Sequence, residues 1–197
     1  MVENRPPLIL GIGGTPRHGS SSERALAVSL KAAEAEGART LLLSGSELDV
    51  PIYVPGRQLS DRASRLLVAF RECRGVIVSS PAYHGSISGL IKNALDYAEE
   101  LRTDTRVYLD GVPIGCIACA GGWQAAGQTL AVLRTIAHSL RGWPTPLGAM
   151  LNTSCTLFDA EGNCIDANVK QQLETVGHQV ITFVRMQTHS MQIMQIA

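Results

Sequence analysis

Residues 13–22, Gly13-Gly14-Thr15-Pro16-Arg17-His18-Gly19-Ser20-Ser21-Ser22, gather hydroxyls and glycines around one arginine. Thr15, Ser20, Ser21 and Ser22 bring O–H donors and Arg17 brings a planar cation. The run leads into a helical stretch, whose first amides have no partner within the helix and whose dipole attracts an anion. A hydroxyl-rich loop with a single Arg suits a terminal monophosphate better than a bridging pyrophosphate. The plainer reading is that Ser20, Ser21 and Ser22 cap the helix. Two better-known phosphate loops do not fit. A Walker A loop needs Gly-Lys-Ser/Thr, which is missing. Gly11-x-Gly13 begins a dinucleotide fingerprint, but its third glycine would fall at Pro16, and no acidic residue ends the second strand.

A second loop, Pro81-Ala82-Tyr83-His84-Gly85-Ser86, would supply backbone amides and a flat ring, Tyr83, beside whatever the phosphate carries. As a simple Pro–Gly turn, its Tyr would only pack. Gly121-Gly122-Trp123 permits close backbone approach from a third side, with the indole covering an edge; alternatively the Trp packs in the core or at an interface. Neither loop supplies a nucleophile. Gly85-Ser86-Ile87-Ser88-Gly89 has Ile where a hydrolase elbow needs Ser, and His84 has no evident acid partner, so no catalytic side chain is assigned. The five cysteines are an odd and irregular set. Cys116 and Cys119 lie in an apolar run where residues three apart face opposite sides of a sheet, and no second pair completes a tetrahedral site. Buried thiols are expected there, with no metal and no disulfide.

These loops need a frame, and the apolar pattern provides one. Leu8–Ile12, Arg39–Leu43, Val76–Val78, Val112–Ala120 and a less regular Leu147–Leu151 read as strands, with Pro144 and Pro146 bracketing the crossing into the last. Helices are expected between them. One carries Leu26, Leu30 and Ala33 and closes at Gly37; a second spans Asp61 to Cys73. A third begins after Ser86, with Ile87, Leu90, Ile91, Ala94, Leu95, Ala98 and Leu101 on one face. A fourth runs from Gln124 to Leu140 and a last from Ala167 to Met186. Ser44–Gly56 reads as a long crossover loop. Continuous apolar strands alternating with helices imply a parallel sheet covered on both faces. The most economical arrangement is an α/β three-layer sandwich, flavodoxin-like, with a five-stranded parallel sheet in the order 2-1-3-4-5. The three loops then border one crevice.

At 197 residues the chain suits one domain, expected over residues 8–186 between a loose leader, 1–7, and a tail, 187–197, without assigned structure. The 17 basic and 17 acidic residues cancel, so no field favours nucleic acid or an anionic membrane. No apolar run approaches the roughly 18 residues of a membrane span, and Met1–Pro7 lacks the apolar core of a signal peptide. A cytoplasmic protein is expected.

The segment from Ser80 to Asp96, SPAYHGSISGLIKNALD, resembles the signature of the NADPH-dependent FMN reductase family. Members commonly read Pro-Glu-Tyr-Asn-Gly-Ser, then Gly, then Lys-Asn-Ala-x-Asp. Gly14-Thr15-Pro16-Arg17-x-x-Ser20 is similar to the family's Gly-Ser-x-Arg-x-x-Ser, and the glycine pair at 121 and 122 falls where the family has its third flavin loop. The resemblance runs from about Leu8 to Leu140. It implies non-covalent FMN, reduction by NADPH or NADH, and a homodimer or homotetramer. It further implies an oxidoreductase that delivers reducing equivalents to a small acceptor: free flavin, a quinone, an azo compound or a metal ion. By position, Thr15, Arg17, Ser20 and Ser22, with Ser21 beside them, would hold the phosphate. Pro81, Ala82, Tyr83, His84, Gly85 and Ser86 would line the isoalloxazine, and Gly121, Gly122 and Trp123 its pyrimidine side. Ala82 replaces the common Glu, His84 the common Asn, and Ser22 an Asn of many members. The loop from Pro51 to Arg57, with Tyr53, is expected to wall the open flavin face or to pack at a subunit interface. The alternative function is an electron carrier or a flavin-binding sensor; carriers of this fold are strongly acidic, and this chain is neutral.

Overall fold

The computed structural model describes residues 5–196, with side chains as far as Ser190. Its centre is β1 (Leu8–Gly13), buried throughout and paired in parallel with β2 (Arg39–Ser44) on one side and β3 (Gly75–Tyr83) on the other. Beyond β3 lie β5 (Pro113–Ala120) and then β6 (Trp143–Asn152), both parallel. A two-residue strand, β4 (Ser86–Ile87), folds back antiparallel on the end of β3. The sheet therefore runs β2-β1-β3-β5-β6. Counting parallel strands alone, this is the expected order; β4 is the departure.

Helices α1 (Ser21–Ala35) and α5 (Ala167–Ile196) cover one face, and α2 (Asp61–Glu72), α3 (Gly89–Asp96) and α4 (Trp123–Ser139) the other. Burial on both faces is why the strands are continuously apolar rather than alternating. The apolar faces of α1, α2 and α5 are buried, among them Leu26, Leu66, Phe70, Leu173 and Val180. Helices α1 and α5 meet at very short range. A Cβ on Gly177 would stand 2.1 Å from the Ser29 carbonyl oxygen, while the Ser29 hydroxyl donates to Leu173 O at 2.7 Å. Only glycine fits there.

Several boundaries differ from the sequence pattern, each for a local reason. The third helix begins at Gly89, not after Ser86, because Ser86 and Ile87 are taken by β4; Ser88 caps it, accepting the Ile91 N–H at 3.3 Å. It tightens into a 3₁₀ turn over Tyr97–Leu101; of the expected face Ile87, Ile91, Ala94, Leu95, Ala98 and Leu101 are buried and Leu90 is half-buried. Strand β6 begins at Trp143, so Pro144 and Pro146 lie within it. As an edge strand it tolerates residues without an N–H. Arg134 covers the edge carbonyls of Thr145 and Pro146, at 3.0 and 2.7 Å. The last helix continues to Ile196, through the tail expected to lack structure. Of the expected leader, residues 1–4 lie outside the described residues, and Pro7 is already tied down by the Arg39 N–H to its carbonyl, at 2.9 Å. The crossover loop opens with a 3₁₀ turn, Gly45–Leu48.

All five cysteines are free thiols. Cys116 and Cys119 belong to the cores on opposite faces of β5, as residues three apart in a strand must. Burial pushes Cys116 and Cys119 up to about 12 and Cys73 to about 11. Among the described residues no helix is long and apolar enough to cross a membrane, and no cluster of His, Cys, Asp or Glu could hold a metal ion.

Candidate functional site

Because β1, β3 and β5 are parallel neighbours, their carboxyl ends share one edge, and the loops leaving them border a common crevice. In the first loop, Gly14 and Gly19 take left-handed φ of 91° and 70°. The Thr15 hydroxyl accepts the Arg17 N–H at 3.2 Å and donates to the Arg17 carbonyl at 3.0 Å, a local turn that fixes the backbone of exposed Arg17. Ser20 is the N-cap of α1 and accepts the Glu23 N–H at 3.3 Å. Its Oγ lies 3.3 Å from that of Ser22, and both serines are buried; Ser21 is half-buried. Of the three serines that the plainer reading takes as caps, Ser20 is the N-cap, and Ser22 Oγ approaches Ser20 Oγ instead of a backbone amide.

The second loop is a two-residue hairpin. Ala82 pairs with Ile87 and Tyr83 with Ser86, leaving His84 and Gly85 at the tip with φ of 49° and 83°. Two successive positive φ values make a type I′ turn, the geometry that favours Asn-Gly; His is among the non-glycine residues that enter the left-handed region most readily. The hairpin is fixed at its base. Ser80 Oγ accepts the Ser88 N–H at 3.0 Å and donates to Pro81 O at 2.8 Å, and Thr129 of α4 donates to Ser86 O at 3.4 Å. Pro81, Ala82 and Ser86 are half-buried, while Tyr83, His84 and Gly85 are exposed. At 52% exposure Tyr83 is not a core residue.

In the third loop Gly122 is the N-cap of α4, with no side chain capping it. A Cβ on Gly121 or Gly122 would meet nothing within 4 Å, so no side chain crowds the start of α4 on that side. Trp123 opens the helix and is 58% exposed, which removes it from the core.

Two buried side-chain oxygens without a hydrogen-bond partner occur beside the first loop: Glu23 Oε2 and Ser79 Oγ. A Cβ on Gly13 would stand 3.0 Å from Ser79 Cβ. The Ser79 hydroxyl is in electrostatic contact with the Cys119 thiol without reaching hydrogen-bond geometry.

Tyr53 lies in the loop expected to wall the open flavin face or to pack at a subunit interface, and it is half-buried. It packs edge-on against Tyr97 of its own chain, with ring centroids 5.2 Å apart, and its hydroxyl donates to Glu100 Oε1 at 2.8 Å. Burial first, then Glu100, push its pKa up to about 12. The residue that fixes this loop, Asn93, was not picked out from the sequence. Its signal was present: a polar side chain beside the apolar face of α3, within the Lys-Asn-Ala motif.

Fold and loops together define a doubly wound, flavodoxin-like α/β protein whose β1, β3 and β5 end along one edge of the sheet. The chain belongs to the NADPH-dependent FMN reductase family, whose pattern it matches over residues 7–154. Over 111 residues it is 32% identical to the FMN-dependent NADPH-azoreductase of Staphylococcus aureus, covering 55% of each chain. It thus spans about half the length of the curated relatives it matches. Among solved structures, it superposes on the flavoenzyme NAD(P)H:(acceptor) oxidoreductase of Paracoccus denitrificans with a TM-score of 0.76, at 21% identity over 91% of this chain and 98% of the other. An oxidoreductase from Corynebacterium diphtheriae gives 0.71 at 19% identity, over 92% and 98%. At such identities the likeness is one of fold.

Proposed function

We propose that this chain is an NAD(P)H-dependent flavin oxidoreductase that binds FMN non-covalently and passes reducing equivalents from NADPH or NADH to a small acceptor. The observation that carries this reading is that α1 and α4 both begin at the carboxyl edge of the sheet, directly after the parallel strands β1 and β5. Helix α1 brings hydroxyls and Arg17, and α4 begins at a glycine pair with no capping side chain. A terminal phosphate needs donors and positive charge, which the first loop supplies. A flat ring needs a slot without side chains and amides for its carbonyl oxygens, which suits Gly121 and Gly122. The donor set therefore fits FMN.

In this reading Thr15, Arg17, Ser20, Ser21 and Ser22 hold the phosphate. Pro81, Ala82, Tyr83, His84, Gly85 and Ser86 line the ring, and Gly121, Gly122 and Trp123 hold its pyrimidine side. Bound flavin supplies hydride acceptance and donation; the protein's part is to bind, orient and leave one face open. The absence of an assigned general base agrees with that division. Ala82 and His84 stand where the family commonly has Glu and Asn, so contacts there would come from the hairpin backbone. We further propose a cytoplasmic homodimer or homotetramer, with free flavin, a quinone, an azo compound or a metal ion as acceptor.

The test is anaerobic mixing of FMN-loaded protein with NADH and NADPH, following flavin absorbance, and then an acceptor screen. Bleaching by either nucleotide supports the enzyme. FMN that binds but is reduced by neither leaves a carrier or sensor, and protein that neither absorbs as a flavoprotein nor gains thermal stability from FMN overturns the cofactor assignment.

A further inference from the structure

Glu23 is the third residue of α1, and Ser20-Ser21-Ser22-Glu23 has capping-box spacing. In that motif the N-cap hydroxyl accepts the third residue's N–H, and the third residue's carboxylate turns back to the N-cap N–H. Only the first half forms here. Ser20 Oγ accepts the Glu23 N–H, but the carboxylate turns away from Ser20: Oε1 lies 3.7 Å from His18 Nδ1, and Oε2 is buried without a hydrogen-bond partner.

The niche it enters lies between the ends of β1 and β2. A Cβ on Gly14 would stand 3.3 Å from Glu23 Cβ, 3.6 Å from Oε2 and 3.4 Å from Ser44 Cβ. The His18 ring lies against Gly45, its Cε1 2.9 Å from where a Cβ there would be, which seats the imidazole beside the carboxylate. A buried carboxylate oxygen left unpaired costs stability, and such groups in a folded protein call for a functional account.

We propose that Glu23 sets how FMN is held, resting on the FMN reading above. By placing a negative charge beside the same loop it loosens the hold, so that FMN exchanges instead of remaining resident. A carboxylate near a phosphate dianion opposes it through Coulomb repulsion, and riboflavin, which lacks the phosphate, does not feel that repulsion.

The experiment is titration of FMN and of riboflavin into wild type, Glu23→Gln and Glu23→Ala, followed by quenching of flavin fluorescence, with thermal melting to check folding. Glutamine can still close the capping box, whereas alanine cannot, so agreement between them isolates charge. Both variants should bind FMN about tenfold more tightly than wild type while riboflavin affinity stays within about twofold. If wild type prefers FMN over riboflavin but neither variant changes that preference, or both weaken FMN, Glu23 has no such role. If wild type shows no preference for FMN at all, the phosphate site itself is wrong, and the inference falls with it.

Discussion

Asn93 binds the crossover loop with both ends of its amide: Oδ1 accepts the Tyr53 N–H at 2.8 Å, and Nδ2 donates to Val50 O and Pro51 O at 3.2 and 3.0 Å. Tyr97 adds its hydroxyl to Pro51 O at 2.9 Å. One side chain thus satisfies three backbone groups of a segment that has no regular structure of its own. This gives the Asn of the Lys-Asn-Ala motif a physical role in holding the loop to α3. Asn93→Ala should lower stability by about 2–3 kcal/mol, since it leaves several half-buried polar groups without partners. Tyr53→Phe, which loses only the bond to Glu100, should cost about 1 kcal/mol. Urea unfolding measures both, and limited proteolysis between residues 51 and 57 should rise in the Asn93 variant.

The hairpin tip makes a separate prediction, because its demands are those of the backbone alone. A Cβ on Gly85 would meet nothing within 4 Å, yet φ is 83°. Gly85→Ala should still destabilise by about 1–2 kcal/mol, through conformation and not through a clash. At His84, with φ of 49°, asparagine should be neutral or stabilising, while β-branched valine should cost about 1–2 kcal/mol. Thermal melts of the three variants decide this; an unaffected His84→Val would mean that the turn is not held in the left-handed geometry.

What the sequence made legible follows a physical divide. The apolar faces of α1, α2, α3 and α5 repeat at helical spacing over many residues, and the five parallel strands are short apolar runs between turns, so both could be read locally. Strand β4 could not, because two residues carry no period; its one local clue was His84-Gly85 as a substitute for Asn-Gly. Pro144 and Pro146 spoke against a strand, and only their place at the sheet edge reverses that. The tail beyond Met186 has few charges and no clear apolar stripe, yet Met and Gln are good helix formers, and the helix beneath them carries on. The partners of Tyr53 within its own chain could not be read locally, because Asn93, Tyr97 and Glu100 are about forty residues away. In the hydroxyl-rich loop the serines stand out by type alone, whereas Glu23 does not, because capping-box spacing gives no hint that its carboxylate turns toward His18.

The buried thiols predict how stability responds to alkali. In an unfolded chain they ionise near pH 8.5. In the folded protein burial holds Cys73 neutral to about 11, and Cys116 and Cys119 to about 12. Below pH 8.5 both states keep these protons and the contribution is fully present. Above it the unfolded chain releases protons that the folded protein retains, so stability falls with rising pH toward 11 and 12. Urea midpoints at pH 7.5, 9 and 10 should decline progressively, and Cys116→Ala should flatten the decline. Ellman's reagent should find one fast thiol in the native protein, exposed Cys155, and all five after denaturation.

Arg17 gives the most direct test of the phosphate loop. Its backbone is held on both sides by the Thr15 hydroxyl, and its side chain is exposed at the mouth of a loop that ends at the buried pair Ser20 and Ser22. A guanidinium so placed can pair bidentately with a phosphate and gives nothing to a flavin without one. Arg17→Ala should therefore weaken FMN by about tenfold or more while leaving riboflavin unchanged, and should reduce the salt dependence of FMN binding. Thr15→Val, which removes the hydroxyl that shapes the turn but keeps the cation, should weaken FMN by a smaller factor, because the charge remains and only its placement suffers. If Arg17→Ala weakens FMN and riboflavin equally, Arg17 supports the loop without touching the phosphate, and the Ser20–Ser22 hydroxyls with the α1 amides would have to hold it alone.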